Sequence, residues 1–327
     1  MEAPIKPTAA HLPAPTQVQD EFSGTEGVYL LPHHHEEIKR LQRQHFFIKA
    51  ATDDKLTPIE LPAGARVLDS GCADGKCRPQ PLPVLEESLV HAREENPTNA
   101  SGRAGTWLAD LAGTDRPDLQ LYGVDLGKAL FRPDARLTLR EHDVRHPFPD
   151  SWGWKNSFDL VHQRLLVWGI GADEWPRVLA NLADVVKPGG VLQLVEAEWV
   201  LSSYSDEQVQ QKKLAQVQEW STRSSGMDVH IWKKFPDLLL PLGFEDMKVE
   251  TFDLGYGATS KRPEDRIWTA ELLPQSFRHL ARKIPAEGIP GVARTPDEYL
   301  AWLDELVVEM KQIGYTPKVR WLTARKI

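Results

Sequence analysis

Cysteine is scarce in this chain of 327 residues: Cys72 and Cys77 are its only two, and they lie five positions apart. Two thiols are too few for a disulfide framework and wrongly spaced for a four-ligand zinc site, so neither is expected to hold the fold. Long apolar runs are also missing. Crossing a bilayer takes about 18 consecutive apolar residues, and no such run occurs, so no membrane partner is expected. The opening Met1-Glu2-Ala3-Pro4 shows no basic stretch followed by an apolar one. No secretory signal is expected there, and a reducing cytoplasm is the expected location. Runs of lysine and arginine are absent too. The formal charge is −8 and the pI about 5.8, which argues against a general nucleic-acid binder.

The remaining composition is ordinary for a globular protein, with 26% charged and 41% hydrophobic residues. Pro4, Pro7, Pro13 and Pro15 with no periodic apolar pattern predict a disordered tail over residues 1–20. Residues 21–60 read as an N-terminal helical cap. His33-His34-His35 reads as a solvated loop at a helix start, because no Asp or Cys clusters nearby to complete a metal site, and no metal is expected. Ile38, Leu41, His45 and Ile48 recur at helical steps over Glu36 to Ala50.

From about residue 61 to 200 the pattern alternates. Short buried-type strands are expected at Arg66–Asp69, Leu119–Val124, Leu137–His142, Phe158–His162 and Val191–Glu196. A helix over Glu174–Val186 presents Trp175, Val178, Leu179, Leu182 and Val186 on one face, and Pro188-Gly189-Gly190 is read as its stop. Strands alternating with helices imply a doubly wound parallel sheet with right-handed crossovers and helices on both faces. Over residues 201–327, helices are expected at 206–222, 228–241 and Pro296–Ile313. Strands are expected at Phe244–Leu254 and Lys318–Ala324, as the last two of the sheet.

In such a sheet, ligands bind beyond the carboxyl ends of the strands where strand order reverses. Asp69-Ser70-Gly71-Cys72-Ala73-Asp74-Gly75 follows the first strand, and Gly71 and Gly75 allow backbone to approach a ligand closely. Asp125 ends the second strand, where a carboxylate can accept from two ribose hydroxyls. Asp143-Val144 follows the third, where a carboxylate can accept from an adenine amino group. The turn lacks the G-x-G-x-x-G fingerprint of dinucleotide binders, which argues against a nicotinamide-dependent oxidoreductase. Each acid taken alone reads equally well as a cap or turn residue; the ordered series is what points to a nucleoside-bearing cofactor.

The runs VLDSGCADG, YGVDL, EHDVRHPFPDSW, FDLVHQRLLVWG and NLADVVKPGGVLQLVEAEW resemble the successive motifs of fungal class I S-adenosylmethionine-dependent methyltransferases of the LaeA-like or UMTA-like group. YLLPHHHEEIKRLQRQH resembles that group's N-terminal helix. The resemblance spans about residues 28 to 200. It implies a Rossmann-like, mostly parallel, seven-stranded sheet with an antiparallel C-terminal strand. It also implies S-adenosyl-L-methionine as cofactor and methyl transfer to an O, N or S atom of a small molecule in secondary metabolism. Asp69, Gly71, Ala73 and Gly75 would surround the methionine half; Asp125 and Leu126 the ribose; Asp143 and Val144 the adenine. His162 and Gln163, just after the fourth strand, would line the floor near the sulfonium, with Tyr29 over the top. Ala73 departs from the pattern, where glycine is usual. The group also includes regulators, so a non-catalytic role through protein partners, with a nuclear location, is the alternative.

A larger departure follows Gly75. The resembling sequences run from the turn straight into a Thr-Trp-Leu helix start. Here Thr106-Trp107-Leu108 has that look, but the 30 residues 76–105 intervene. Gly75-Lys76-Cys77 can be encoded GGT-AAG-TGC and Ala104-Gly105 GCA-GGT, which contain the usual start and end of an intron. Residues 76–105 are therefore read as translated from a retained intron, against a genuine Pro-rich insertion whose middle, Val84 to Asn96, has helical spacing.

Methyl transfer from a sulfonium is an in-line displacement that needs positioning and exclusion of water. A base is needed only for a protonated acceptor. His162 and Glu196 are the leading candidates, at or near the active ends of strands four and five, ahead of His142, Glu198 and His230. Trp199, Tyr204, Trp220, Met227, Trp232, Phe235, Tyr256 and Trp268 are expected to supply both core and an apolar acceptor pocket. Trp152 and Trp154 are read as packing residues.

Overall fold

The structure is a computed structural model that describes residues 35–72, 107–126, 131 and 134–327. Tyr29, Ala73, Gly75, the tail 1–20 and residues 76–105 lie outside the described residues.

Seven strands form one sheet: β1 (Arg66–Ser70), β2 (Gln120–Asp125), β3 (Leu137–Glu141), β4 (Phe158–Arg164), β5 (Val186–Glu198), β6 (Phe244–Asp253) and β7 (Lys318–Lys326). Their order is β3-β2-β1-β4-β5-β7-β6. The first five pair in parallel, and β7 runs antiparallel between β5 and β6. This is the doubly wound, mostly parallel sheet with one reversed C-terminal strand that the sequence predicts. β1 and β4 are buried along most of their length, with Val67, Leu68, Leu160 and Val161 fully inaccessible. Strands covered on both faces read as continuous apolar runs, which is why these were visible in the sequence.

Three helices matter for the site. α1 (His35–Ala51) precedes β1, α2 (Trp107–Ala112) lies between β1 and β2, and α3 (Trp175–Val185) joins β4 to β5. Side chains two apart on a strand share a face. Val67, Asp69, Leu160, His162 and Arg164 share the face covered by α2, where Val67 and Leu160 pack with Trp107, Leu108 and Leu111. Leu68, Ser70, Val161 and Gln163 share the opposite face, where Leu68 and Val161 pack in one core with Val178, Leu179 and Leu182 of α3. The sheet therefore has α2 on one side and α3 on the other because strand order reverses between β1 and β4.

The later chain carries α4 (Val209–Ser224), α5 (Phe235–Leu239), α6 (Arg266–Phe277) and α7 (Pro296–Ile313). α7 is bounded as its sequence dictates. The Thr295 hydroxyl accepts from the Glu298 amide at 3.2 Å, Pro296 sits in the first turn, and Gly314 at φ +74 ends it. The single helix expected over 228–241 is instead a 3-10 turn at Ile231–Lys233, the five-residue α5 and a second 3-10 turn at Leu240–Leu242. Pro236 and Pro241 explain the break, since each lacks an amide hydrogen and suits only the first turn of a helix. α6 was not foreseen. Its apolar residues follow no single face and Pro274 lies inside it, so it is held by packing on α7 and α1. Pro188-Gly189-Gly190 belongs to β5 itself: α3 gives way to strand at Val186, and the Phe158 pairing shifts register there. No helix among the described residues is long and apolar enough to cross a membrane.

Candidate functional site

The carboxyl ends of β1 and β4 are neighbours at the point where strand order reverses, so a ligand crevice is expected above them. Gly71 opens the turn after β1 at φ +76, and its amide and that of Cys72 both donate to the Val124 carbonyl, at 2.9 and 3.1 Å. A Cβ on Gly71 would stand 3.0 Å from Leu166 Cδ2. Glycine is thus required twice over, for the left-handed backbone and for the close approach of Leu166. Cys72 is buried, and its sulfur occupies the space a side chain at Gly123 would need. It acts as a small packing group.

Asp125 is the last residue of β2, partly buried, and its carbonyl accepts from the His142 amide at 2.9 Å. Leu126 follows it and is also partly buried. Asp143 lies just beyond β3, and its Oδ1 accepts from the Arg145 amide and Nε at 3.0 and 2.8 Å. Burial pushes its carboxyl upward, but the Arg145 hydrogen bonds outweigh this and hold it below the usual carboxylate range. Val144 is partly buried against the core, and its carbonyl accepts from Asn181 Nδ2 at 2.9 Å. The acids that the sequence placed after strands two and three are therefore brought to adjacent strand ends.

The expected strand Phe158–His162 extends two residues further, so His162 and Gln163, which the resemblance set just after it, both lie within β4. The strand runs on to Arg164 because the run Val161-His162-Gln163-Arg164 contains no turn-forming residue. His162 is 2% exposed, donates from Nδ1 to Asp69 Oδ1 at 2.9 Å, and lies flat against the Trp107 indole at 3.9 Å between centroids. Burial lowers its pKa despite Asp69. Asp69 lies in β1, as the expected strand Arg66–Asp69 had it, and the strand runs one residue further to Ser70. Gln163 faces the other side and accepts from the Ser70 hydroxyl at 3.1 Å.

Glu196 is also interior to its strand. Its Oε1 accepts from the Leu166 and Val167 amides at 2.7 and 3.1 Å, and Oε2 has no hydrogen-bond partner among the described residues. Burial pushes its carboxyl up to about 8, outweighing the backbone hydrogen bonds, which by themselves would lower it. Of the lesser candidates, Glu198 pairs with Arg320, and His142 is stacked on Phe148 at 4.6 Å with its Nε2 3.1 Å from the His146 carbonyl. His230 lies 3.8 Å from Glu219 at the surface. Trp152 and Trp154 pack against one another, and Arg140 lies over both rings.

Sequence reasoning missed what occupies the end of β4. Leu165 is left-handed at φ +54, unusual for a bulky residue. Such a conformation costs on the order of 1–2 kcal/mol and has no sequence signal. It also missed a buried polar network joining α1, α2 and β4. Both Nη atoms of Arg164 approach His45 Nδ1, at 3.2 and 3.3 Å, and His45 Nε2 meets Asp110 Oδ2 at 3.1 Å. Arginine can only donate, so Nδ1 must accept and the proton must sit on Nε2. Desolvation lowers the His45 pKa to about 4, outweighing Asp110, so the ring is neutral. Lys49 reaches the same Asp110 oxygen at 2.7 Å. The one sequence hint was a histidine in an otherwise apolar helix stripe.

Beyond β4 and β5, Trp168 meets Trp199 at 5.4 Å and Phe277 at 5.8 Å between centroids. Trp199, Phe235 and Tyr256 are core residues. A separate open groove of about 340 Å³ is lined by Trp220, Arg223, Glu219, Gln216, Ile289 and Pro290. No group of three or more His, Cys, Asp or Glu among the described residues could hold a metal.

The methyltransferase domain family matches residues 100–194, which covers β2 to β5 and leaves β1 and its turn outside. The chain is similar to the N-methyltransferase tcpN of Claviceps purpurea, 25% identical over 289 residues, covering 86% of this chain and 91% of that one. It is 31% identical to the N-methyltransferase sirN of Leptosphaeria maculans over 54% of this chain, spanning about half (52%) of that relative's length. The secondary metabolism regulator laeA of Fusarium oxysporum is 28% identical over 55% of this chain and 48% of its own.

Proposed function

From the premise that this chain belongs to the class I S-adenosylmethionine-dependent methyltransferases of the fungal LaeA-like group, we propose that it methylates a nitrogen atom of a small molecule. One observation carries the site reading. The strand order sets Gly71, Asp125 and Asp143-Val144 at the adjacent carboxyl ends of β1, β2 and β3, beside the reversal at β4. The residues fit the cofactor: Gly71 opens a close backbone approach, and Asp125 supplies a carboxylate where a ribose would lie. In this reading Leu126 completes the ribose contacts, while Asp143 and Val144 meet the adenine. We assign Ala73 and Gly75, with Asp69 and Gly71, to the methionine half, and Tyr29 to cover the cofactor from above.

When bound, S-adenosylmethionine supplies a methyl group activated by a positive sulfur. The chain's task is to hold the acceptor in line and keep water out. Trp168, partly buried and backed by the core residues Trp199 and Phe277, offers an apolar surface for an acceptor beside the ends of β4 and β5. A neutral amine brings its own lone pair, and its proton leaves after the C–N bond has formed. That chemistry needs no strong base, which agrees with His162 Nδ1 being taken by Asp69 and Glu196 Oε1 by backbone amides. The relatives named as N-methyltransferases favour nitrogen as acceptor.

Calorimetry with S-adenosylmethionine, on the chain as given and on a version lacking residues 76–105, tests the reading. Binding by only the shortened chain would assign 76–105 to unspliced sequence. Binding by both would make it a tolerated insertion. Binding by neither, with both folded, would remove the enzyme reading and favour a regulatory role like that of laeA. A cytoplasmic location goes with the enzyme, and nuclear accumulation of a fluorescent fusion would point to the regulator.

A further inference from the structure

We propose that Glu196 is a positioning residue for the cofactor crevice: it holds the backbone of Leu166 and Val167 so that Leu166 walls the Gly71 turn. The inference rests on the methyltransferase reading of that crevice. Glu196 is 3% exposed, on the face of β5 away from α2, and its Oε1 takes both amides of the loop that leaves β4. That loop needs holding. Leu165 is in the left-handed region, a conformation that persists in a leucine only when its surroundings enforce it. Its own amide is tied to the Val195 carbonyl at 2.9 Å, and the Gly169 amide closes the turn onto the Leu166 carbonyl at 2.9 Å. Glu196 supplies the remaining restraint, on the two amides between. The Leu166 side chain that follows reaches the Gly71 backbone so closely that its Cδ1 and Cδ2 stand 3.1 and 3.0 Å from where a Cβ would lie. The chain of contacts thus runs from Glu196 to the Leu166 amide, through Leu166 to Gly71, and so to the turn expected to face the cofactor.

The carboxyl cannot be doing this as half of an ion pair. Arg320 stands opposite Glu196 in the β5–β7 register, but its guanidinium goes to Glu198 and lies 4.2 Å from the Trp232 ring centroid. Glu196 is left with backbone amides alone, and burial pushes it toward the neutral acid. A neutral acid that accepts from amides is mimicked by glutamine and not by leucine. A base, by contrast, needs its carboxylate and a path to the acceptor.

Three variants separate these roles, made in whichever form of the chain binds cofactor: Glu196→Gln, Glu196→Leu and Leu166→Ala. Circular dichroism and thermal unfolding report the fold, calorimetry with S-adenosylhomocysteine reports binding, and transfer assays give kcat and KM. Glu196→Gln is expected to bind within about threefold of the parent. Glu196→Leu and Leu166→Ala are expected to weaken binding roughly tenfold or more and to raise KM for the cofactor, the scale on which small misplacements act. If Glu196→Leu does not fold, Leu166→Ala carries the test with the carboxyl intact. Parent-like binding by Leu166→Ala, or by a folded Glu196→Leu, overturns the proposal. So does a Glu196→Gln variant that binds normally but loses kcat, which would make Glu196 the base. A folded parent chain that binds no cofactor in either form removes the methyltransferase reading itself, and the inference with it.

Discussion

Asp69 and Glu196 are two buried acids on the strands either side of β4, and they live in opposite electrostatic worlds. Asp69 faces α2 on β1 and meets an imidazole; beyond that ring lie Arg164, His45, Asp110 and Lys49, a set of charges and dipoles that answer one another. Glu196 faces the other side of the sheet on β5, where backbone amides, those of Leu166 and Val167 foremost, meet one of its oxygens and no charged partner does among the described residues. The same functional group is therefore kept in two ways. One site satisfies the charge with a partner. The other removes the charge by holding the proton, which is why burial carries Glu196 up to about 8. Position on the sheet does not explain the difference, since both acids sit on central strands. What matters is which face each side chain turns to and what the covering helix brings.

The sharpest way to break this comparison is to remove the partnered acid. Asp69→Leu leaves the buried Nδ1 of His162 without an acceptor, and an expected loss of about 3 kcal/mol follows from orphaning a buried donor beside other charges. Chemical denaturation measures it. Adding His162→Phe should restore part of the loss, with a coupling of about 1–2 kcal/mol. Independent effects of the two substitutions would mean that the pair is not the unit described above.

The unpartnered acid should show itself through pH. The folded Glu196 carboxyl titrates near 8 against an ordinary 4.5, so the folded state binds more protons between those values. Its contribution to stability is full below about 4.5 and is lost as pH rises through 8. Glu196→Gln has no such proton. The parent should therefore lose stability relative to Glu196→Gln, by on the order of 3 kcal/mol, between pH 5 and 8. Parallel stability curves for the two proteins would show that Glu196 is already ionised in the fold.

How much of this was legible depends on the range of the signal. The strand cores, α3 and α7 were visible because their apolar spacing and caps are local, as in Thr295 and Gly314 at the ends of α7. Gly71 and Asp125 were visible because turn glycines and strand-end acids are local too. The His45–Arg164 contact joins residues 119 apart in the chain, and no local pattern encodes it. The end of β4 was misplaced by two residues because Gln163 and Arg164 extend as readily as they turn. That extension carries Gln163 and Arg164 into the strand, and His162, already expected to end it, turns to Asp69 and Trp107. The face of Glu196 could not be read at all, since β5 is apolar on both sides and its alternation carries no contrast. α6 was hidden by Pro274 and by an apolar pattern with no single face.

The smallest expected effect tests the rim of the partnered side. His45 is 1% exposed and neutral, with a folded pKa near 4 against 6.5 when unfolded. Between those values the unfolded chain takes a proton that the folded chain refuses, so stability is full above about 6.5 and falls as pH drops toward 4. Protonation would also put a hydrogen on Nδ1, where Arg164 now donates, setting two positive groups face to face beside Lys49 and Asp110. Glutamine can keep both contacts, its oxygen accepting from Arg164 and its amide donating to Asp110, without taking a charge. His45→Gln should therefore be close to the parent at pH 7 and gain on it by on the order of 2 kcal/mol as pH falls from 6.5 to 4. Glu196 and His162 titrate in both proteins, so their terms cancel in the difference. A difference that stays flat across this window would mean that His45 is already charged, and the donor assignment that joins α1 to the end of β4 would have to be reversed.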